Sequence, residues 1–303
     1  MRVLVTGAAG FIGSHTINLL EKHHHEVLAV DNFSTGKTEN LKGFRGQICP
    51  CDVTDIKLME KEFAEFKPQA VIHLAAQSAI STAFLDPKLD LRVNGIGTLN
   101  MLKLSEAFGV NRFVFASTSA VYKSQFFLST RETSELSPNT PYGISKLAAE
   151  YYIRLFFKNH TILRYANVYG PRQTPIGDNQ LIARAFRHFL HGDDFTITGH
   201  GKQKRDFVYV EDIASCNVMA VEAGATGTFN VASGSSYSVN DVLAVIEGIY
   251  EVKGYRWEHT KDEDPRKSVY LNADWIRKTM GWRAYTSLED GLKLTSQWWE
   301  DHK

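Results

Sequence analysis

The sequence has few cysteines, and their placement limits the kind of fold it can adopt. Its three cysteines are Cys49, Cys51 and Cys216. An odd, sparse set argues against a disulfide framework and fits a reducing compartment, so we expect buried or unreactive thiols. No second ligand pair at zinc spacing accompanies Cys49 and Cys51. We therefore expect no disulfide-stapled fold and no metal site.

An excess of one charge is also missing, as are long apolar runs. The 34 Lys and Arg residues balance 34 Asp and Glu residues, so the formal net charge is zero. No overall field then favours nucleic acid or an anionic membrane, and an anionic ligand needs a local pocket. No run of about 18 apolar residues occurs, and Met1 leads into a strand-like segment rather than a targeting leader. We expect a cytoplasmic protein with no nucleic-acid or membrane partner.

Short apolar runs alternate with helical patterns in the first half of the chain. We predict strands at Arg2–Thr6, Glu26–Val30, Gln47–Cys49, Ala70–Leu74, Arg112–Ala116 and Thr161–Tyr165. We predict helices at Phe11–Lys22, Ile56–Phe66, Pro87–Phe108 and Tyr142–Lys158. This alternation is typical of parallel strands joined by right-handed crossovers. The sequence thus predicts an α/β protein with a Rossmann-type doubly wound parallel sheet.

The rhythm changes after about residue 166, where a smaller α/β unit is expected. Helical patterns cover Leu181–His191, Val239–Tyr250, Ala273–Met280 and Leu288–Asp301, with strand-like runs at Phe195–Thr198 and Phe207–Val210. We predict a cofactor domain of residues 1–166 plus roughly 206–232, and a substrate domain of residues 167–205 and 233–303. The second domain should lie against the carboxyl ends of the sheet strands, where open α/β sheets bind ligands.

The first predicted strand ends in three glycines at the spacing GxxGxxG. Gly7, Gly10 and Gly13 allow a sharp turn, close approach of backbone N–H groups to a pyrophosphate, and tight helix–strand packing. Asp31 ends the second strand, where an acid hydrogen-bonds the adenosine ribose and repels a 2′-phosphate. This favours NAD over NADP. The ends of the third and fourth strands add Asp52, Val53, Leu74, Ala75 and Ala76.

A tyrosine and a lysine lie one helical turn apart at the start of a predicted helix. In Tyr142-Gly-Ile-Ser-Lys146 the spacing of four places both side chains on one face. A lysine cation and an oxidised nicotinamide both favour the phenolate, so we expect the pKa of Tyr142 to fall below its usual 10. Ser117, Thr118 and Ser119 follow the fifth strand at the same sheet edge. A hydroxyl there can hydrogen-bond a substrate oxygen that becomes a carbonyl.

Arginines in the loops of the second domain suit a diphosphate. Arg172, Arg205 and Arg266 fall in such loops, with Asn167 and Lys204 nearby. Guanidinium groups match phosphate oxygens, and a neutral chain needs a local cluster to hold a doubly charged ligand. Arg205, at the head of an apolar strand, is the strongest candidate.

These motifs together resemble the extended short-chain dehydrogenases/reductases, and among them the UDP-hexose 4-epimerases. The matching segments run from end to end: VTGAAGFIGSH, DNFSTG, HLAAQ, Val93-Asn94, STSAVY, PYGISK, LRYANVYGPRQ and RDFVYVEDIA. The resemblance implies an NAD-dependent enzyme that inverts C4 of a UDP-hexose through a transient 4-keto sugar. It also implies a homodimer, for which the apolar helices Pro87–Phe108 and Tyr142–Lys158 offer surface.

Carried over position by position, the resemblance gives each motif a role. The implied catalytic residues are Thr118, Tyr142 and Lys146. The implied cofactor contacts are Gly7, Gly10, Phe11, Ile12, Gly13, Asp31, Asn32, Ser34, Thr35, Gly36, Asp52, Val53, Leu74, Ala75, Ala76, Gln77, Asn94, Ser117, Tyr142, Lys146 and Tyr165. The implied substrate contacts are Thr118, Ser119, Asn167, Arg172, Gln180, Leu181, Thr196, Ile197, Arg205, Lys261, Asp264 and Arg266.

Departures from the family pattern bear on the reaction and the sugar. Ser119 and Ala120 stand where 4,6-dehydratases carry Asp-Glu, so dehydration is disfavoured. Lys123 replaces a glycine and either binds a sugar carboxylate or points to solvent. The segment Ser268–Tyr270 leaves acceptance of an N-acetyl group open. The alternatives are another nucleotide-sugar oxidoreductase or dehydratase, or a non-catalytic dinucleotide sensor.

Overall fold

The computed structural model describes residues 1–123, 129–175, 180–252, 257–260 and 270–302, and its strands agree closely with the sequence pattern. In chain order the strands are β1 (Arg2–Thr6), β2 (Glu26–Val30), β3 (Gln47–Cys49), β4 (Ala70–His73), β5 (Arg112–Thr118), β6 (Ser129–Thr130), β7 (His160–Tyr165), β8 (Asn167–Tyr169), β9 (Thr196–Ile197), β10 (Lys204–Arg205), β11 (Phe207–Tyr209), β12 (Gly227–Val231), β13 (Tyr237–Ser238), β14 (Glu258–His259) and β15 (Tyr270–Leu271).

Seven of these strands form one parallel sheet. Its order is β12-β7-β5-β4-β1-β2-β3, and every neighbouring pair runs parallel. The order reverses direction between β1 and β4, which creates the crevice where doubly wound sheets bind ligands. The predicted Rossmann-type α/β fold is confirmed.

Helices cover both faces of this sheet. In chain order, the α-helices of the described part of the chain are α1 (Phe11–Lys22), α2 (Ile56–Phe66), α3 (Ile80–Leu85), α4 (Pro87–Leu91), α5 (Thr98–Ala107), α6 (Pro141–Phe156), α7 (Leu181–His191), α8 (Val210–Glu222), α9 (Val239–Ile249), α10 (Asp274–Met280) and α11 (Leu288–Asp301). Alternating strand residues feed the two faces: Val3 and Val5 join the cluster that includes α1 and α8, whereas Leu4 joins the cluster that includes α2, α5 and α6.

One predicted helix is not continuous. The segment expected as a single helix, Pro87–Phe108, consists of α4, a π-helical turn at Arg92–Gly97 and α5. A π-turn inserts an extra residue into the helical repeat, which apolar periodicity does not reveal. Helix α3 also escaped prediction. The widened turn carries Asn94.

A third apolar cluster lies outside the main sheet. Its buried members come from β8, α7, β9, β11, α9 and α11, and include Tyr169, Phe186, Ile197, Leu243 and Trp299. Strand β12 returns to the edge of the main sheet beside β7, and β11 pairs with β8. The division into two domains at the residues given above stays a prediction.

The expectation of free thiols at Cys49 and Cys51 is wrong in this structure. The two residues form a disulfide across Pro50, with their Cα atoms 5.4 Å apart. The Cys51 N–H donates to the Cys49 carbonyl, and this tight turn brings the two sulfurs together. Cys216 is free and buried.

None of the helices in the described part of the chain is both long enough and apolar enough to cross a bilayer.

Asp206 joins the third apolar cluster to the end of β12 in the main sheet. Its carboxylate accepts hydrogen bonds from the Ser233 N–H and hydroxyl and from the Gly234 N–H. Its carbonyl accepts from the backbone and side-chain amides of Asn167. Burial raises the pKa of Asp206 from 3.8 to about 6, against these hydrogen bonds.

We therefore predict a pH-dependent contribution of Asp206 to stability. The native state holds the proton up to about pH 6 and the unfolded chain loses it near 3.8, so the stabilising contribution is present below pH 4 and is lost as the pH rises through 6. Relative to Asp206→Asn, the wild type should lose about 2–3 kcal/mol of unfolding free energy between pH 4 and pH 7. Urea unfolding at four pH values measures this, and a difference that does not change with pH contradicts it.

Candidate functional site

The glycine loop after β1 packs closely against the neighbouring backbone and leads into the N-terminus of α1. Gly7 has a φ of +67°, and a Cβ there would lie 2.7 Å from the Ala75 nitrogen. A Cβ on Gly13 would lie 2.0 Å from the Gly7 oxygen. Gly10 precedes α1, which begins at Phe11 and Ile12 without a side-chain cap or an acidic residue in its first turn. The helix N-terminus therefore favours an anion, as a pyrophosphate site requires.

Asp31 lies beside this loop at the end of β2. Its Oδ2 accepts from the Ala9 N–H at 2.9 Å and its Oδ1 from the Phe33 N–H at 2.8 Å. Gly36 packs against the same carboxylate, since a Cβ there would lie 2.8 Å from Asp31 Oδ1. The carboxylate is thus held in one orientation at the sheet edge, where an adenosine ribose would lie.

The residues that follow β2 and β3 form a second group of polar contacts at this edge of the sheet. Asn32 donates to Asp52 at 2.8 Å, and the Ser34 N–H donates to Asn32; Ser34 and Thr35 are exposed. Although partial burial opposes it, hydrogen bonds from Thr54 and Asn32 lower the pKa of Asp52. Val53 packs on Gly97, where a Cβ would lie 2.7 Å from Val53 Cγ2.

A buried hydrogen-bond chain links the glycine loop to the π-turn, and sequence reasoning missed it. The Thr6 hydroxyl contacts His73 Nδ1 at 2.7 Å, and His73 Nε2 contacts the Thr98 hydroxyl at 3.0 Å. The Thr98 hydroxyl donates to the Asn94 carbonyl. Burial lowers the pKa of His73 to about 3, so the ring is neutral and relays hydrogen bonds without adding charge.

The π-turn aims Asn94 at the loop after β4. The Gln77 N–H donates to Asn94 Oδ1 at 3.0 Å, and the Asn94 amide donates to the Gln77 carbonyl and to Ser145. Asp90, fully buried on α4, accepts from the amides of both Asn94 and Gln77. Leu74 and Ala75, which precede Ala76 in this loop, donate their N–H groups to Thr6. The end of β1, the loop after β4, helix α4 and the π-turn therefore meet at one edge of the sheet.

The predicted catalytic side chains lie at the same edge. The Thr118 hydroxyl lies close enough to the Tyr142 phenol to influence its pKa, and Thr118 Oγ1 accepts from the Ala120 N–H at 3.1 Å. Lys146 is buried, and its Nζ donates to the Ala116 carbonyl at 3.0 Å and lies 4.7 Å from the centre of the Phe115 ring. Pro141 at the first helical position and the Thr140 cap fix the start of α6 and thereby the direction of these side chains.

The predicted fall in the pKa of Tyr142 is not seen in the protein chain itself. Burial raises the pKa of Tyr142 to about 12; the Thr118 hydroxyl lowers it and the Asp90 charge raises it further. Burial also lowers the pKa of Lys146 to about 8, against the charges of Asp90 and Glu150. The desolvation of both groups outweighs the attraction that the spacing predicted.

A pocket beside α7, β9 and β11 brings together six of the twelve predicted substrate residues. Asn167, Gln180, Leu181, Thr196, Ile197 and Arg205 line it together. Sequence reasoning missed five further lining residues: Arg184, Phe195, Gln203, Phe207 and Val239. The Arg184 guanidinium lies 5.2 Å from the centre of the Phe195 ring. The alternation of apolar and polar residues along β9 and β11 could have indicated some of these residues. Arg184 lies in a helical pattern that predicts a solvent-exposed side chain.

Other predicted site residues make separate contacts. Arg172 has a φ of +68° and lines a different groove, between α1 and α8, together with His15. The Tyr165 hydroxyl donates to Asn217 of α8, and the Ser117 hydroxyl donates to Glu150. Ser119 begins the short turn after Thr118. Lys261, Asp264, Arg266 and residues 268–269 lie outside the described residues.

One group of side chains in the described ranges has the proximity that a metal site needs. Cys49, Cys51 and Glu62 have ligand atoms within 4.8 Å of one another. Because Cys49 and Cys51 are joined as a disulfide, their sulfurs are not available as thiolate ligands.

Comparison with known proteins gives a consistent result. A model of the family described as "NAD dependent epimerase/dehydratase family" matches residues 3–232. A putative UDP-glucose 4-epimerase from Methanocaldococcus jannaschii is 35% identical over 308 residues, with 99% of each chain covered. A dTDP-glucose 4,6-dehydratase from Neisseria gonorrhoeae is 29% identical, with 99% of this chain and 96% of that chain covered.

Solved structures show the same pattern. The UDP-glucose 4-epimerase of Thermotoga maritima, crystallised with UDP-glucose, has a TM-score of 0.93 and 35% identity over 100% of this chain and 99% of that chain. The UDP-glucose 4-epimerase of Thermus thermophilus, in complex with NAD, has a TM-score of 0.91 and 33% identity over 99% of each chain.

The geometry around Asp31 generates a prediction on cofactor choice. In Asp31→Asn the ribose would lose a charged acceptor, so affinity for NAD should fall about tenfold and the preference over NADP should narrow. Calorimetric titration of nucleotide-free protein with NAD and with NADP measures both. Asp301→Asn, an exposed change on α11, is the control. Equal loss for the two nucleotides would show that Asp31 does not read the ribose.

Proposed function

Because the chain belongs to the NAD dependent epimerase/dehydratase family and is an NAD-dependent enzyme, we propose that it inverts C4 of a UDP-hexose. Tyr142 takes the proton from the sugar O4 while Thr118 hydrogen-bonds that oxygen. Bound NAD supplies a hydride acceptor, a hydride donor and a positive charge that favours the Tyr142 phenolate. The 4-keto sugar turns over in the pocket and regains hydride on its other face, so no net redox change occurs.

The observation that carries the proposal is the meeting of two predicted sets of residues at one sheet edge. The proposed catalytic residues, Thr118, Tyr142 and Lys146, lie beside the π-turn, where Asn94 is bonded to Gln77. Ser145 of α6 accepts a hydrogen bond from Asn94 and so links the catalytic residues to that turn. The glycine loop and the uncapped N-terminus of α1, which favours an anion, lie at the same edge. A base, a cation and a hydride carrier in one cleft are what oxidation of a sugar alcohol requires.

Local residues favour epimerisation over dehydration. Expulsion of a C6 hydroxyl needs an acid–base pair, and the two positions after Thr118 are Ser119 and Ala120. The Ala120 N–H is itself bonded to Thr118. Neither position offers a carboxyl group.

Lys123 supports a neutral sugar rather than a uronic acid. Its Nζ contacts both carboxylate oxygens of Glu135, at 2.9 and 3.2 Å. The pair is half-exposed, and its net charge is zero. A sugar carboxylate would have to displace Glu135, because Lys123 is already paired with that carboxylate.

The pocket beside α7, β9 and β11 suits a uridine diphosphate. Arg184 and Arg205 supply positive charge for phosphates. The Gln180 Oε1 is buried and has no hydrogen-bond partner among the described residues. An unmet acceptor of this kind suits the imide N–H of a uracil ring.

We further propose that two copies pair through an apolar face formed by α3, α4, the π-turn and α6. Its exposed members are Phe84, Leu85, Leu91, Ile96, Ile144, Tyr151, Tyr152, Leu155 and Phe156. Monomers rarely leave so many neighbouring apolar side chains in water. Two adjacent helices can pack on the same helices of a second copy about a two-fold axis.

The proposed reaction predicts interconversion of UDP-hexose pairs without accumulation of NADH. The protein is incubated with UDP-glucose, UDP-galactose, their N-acetylated counterparts and UDP-glucuronate, and products are resolved by chromatography. Tyr142→Phe should lower kcat by at least about 100-fold, since the general base is lost, while NAD binding persists. Tyr285→Phe, an exposed tyrosine, is the matched control. An active Tyr142→Phe enzyme removes the phenol from the mechanism.

The apolar face gives a separate prediction on mass. Leu155 is 74% exposed on α6, and Leu155→Asp should convert a dimer into a monomer at micromolar concentration because it buries a charge in the contact. Leu294→Asp, at a 52% exposed leucine of α11, should leave the dimer intact. Light scattering after size exclusion reads the mass. A monomeric wild type would contradict the pairing.

A further inference from the structure

Three consecutive residues of β5 each interact with α6, two of them through hydrogen bonds. The pairs are Ala116 with Lys146, Ser117 with Glu150, and Thr118 with Tyr142. The three α6 residues are spaced by four, so they follow one face of the helix over two turns. Two of the pairs involve the proposed base and its cation, whereas the Ser117–Glu150 pair has no part in the reaction described above.

Glu150 is held by four hydrogen bonds, one of them from Ser117. Its side chain is fully buried and accepts from Arg164 Nε and Nη2 at 2.8 and 2.6 Å, and from Arg154 Nη2 at 2.6 Å. Arg164 is itself buried in β7 and also donates to the Tyr122 hydroxyl. A carboxylate anchored to the sheet by a bidentate arginine cannot move without leaving a buried charge unpaired.

Ser117 is a polar residue in an otherwise apolar stripe. It continues the face of β5 from which Phe113 and Phe115 join the apolar cluster beneath α6. Its hydroxyl, 2.5 Å from Glu150 Oε1, therefore links the strand residue before Thr118 to the anchored helix residue one turn after Lys146. A slip of α6 along β5 would break this contact.

We propose that Glu150 is a positioning residue: through Ser117 and Arg164 it fixes the register in which Lys146 and Tyr142 of α6 meet β5. What the positioned groups do rests on the proposed function, but the register itself does not. Glu150 also adds a second buried negative charge near the Lys146 ammonium, the first being Asp90 of α4. Among the described residues, His73 of β4 and the Phe115 ring of β5 also face Lys146.

Ser117→Ala tests the register without unpairing Arg164. The thermal midpoint should change little, whereas kcat should fall about tenfold with KM within twofold of wild type, because the hydroxyl contact is lost but the fold is not. Arg154→Gln is the control, since it removes a half-exposed partner of Glu150 and leaves Ser117 and Arg164 in place. It should retain wild-type kcat. Wild-type kcat in Ser117→Ala would overturn the proposal.

Glu150→Gln tests the charge. Loss of a neighbouring carboxylate destabilises the Lys146 ammonium, so the alkaline limb of the kcat profile should move to lower pH. A purely structural role would lower the thermal midpoint and the active fraction but leave that limb in place, and this result contradicts the proposal. If the variant does not fold, Ser117→Ala still decides the question.

A measurement without sugar separates this proposal from the proposed function. The phenolate absorbance of NAD-bound protein, with Tyr142→Phe subtracted, reports the titration of Tyr142 alone. In Ser117→Ala its midpoint should rise, because the Thr118 hydroxyl that favours the phenolate is misplaced. An unchanged midpoint refutes the register role even in a protein that turns over UDP-sugars. If the phenolate midpoint shifts in Ser117→Ala but the wild type converts none of the UDP-sugars, only the proposed function is refuted.

Discussion

The buried ammonium group of Lys146 constrains the elements that meet at this edge of the sheet. Taking the Lys146 charge out of water costs several kcal/mol unless it is paired and hydrogen-bonded. The Ala116 carbonyl, the Phe115 ring and the charges of Asp90 and Glu150 supply that compensation from three different elements. Helices α4 and α6 and strand β5 must therefore keep a fixed arrangement for the lysine to remain charged. The same arrangement holds Tyr142 against Thr118 and keeps Asn94 within reach of Gln77.

Much of this arrangement was predictable because its signals are local. Parallel strands buried on both faces read as short apolar runs, and six of them fell within two residues of the observed strands. Gly7 and Gly13 could be assigned a role because only glycine fits their close backbone contacts. Tyr142 and Lys146 could be paired because helical geometry relates residues four apart.

What escaped prediction depends on contacts between distant segments or on subtle backbone changes. The π-turn at Asn94 differs from a regular helix by one residue per turn, and the left-handed backbone at Arg172 turns it into another groove. The Glu150–Arg164 pair and the His73 relay join residues that no spacing rule connects. The raised pKa of Tyr142 reflects burial, which a motif does not report.

The central claim is that hydride leaves and returns to the same sugar carbon within one closed site. The most direct measurement is conversion of a UDP-hexose deuterated at C4, with the isotope in the epimer followed by mass spectrometry and NMR. The account predicts that the deuterium is retained at C4 and that none appears in water. Loss of label to solvent, or label ending in free reduced cofactor with a sugar ketone released, would contradict it.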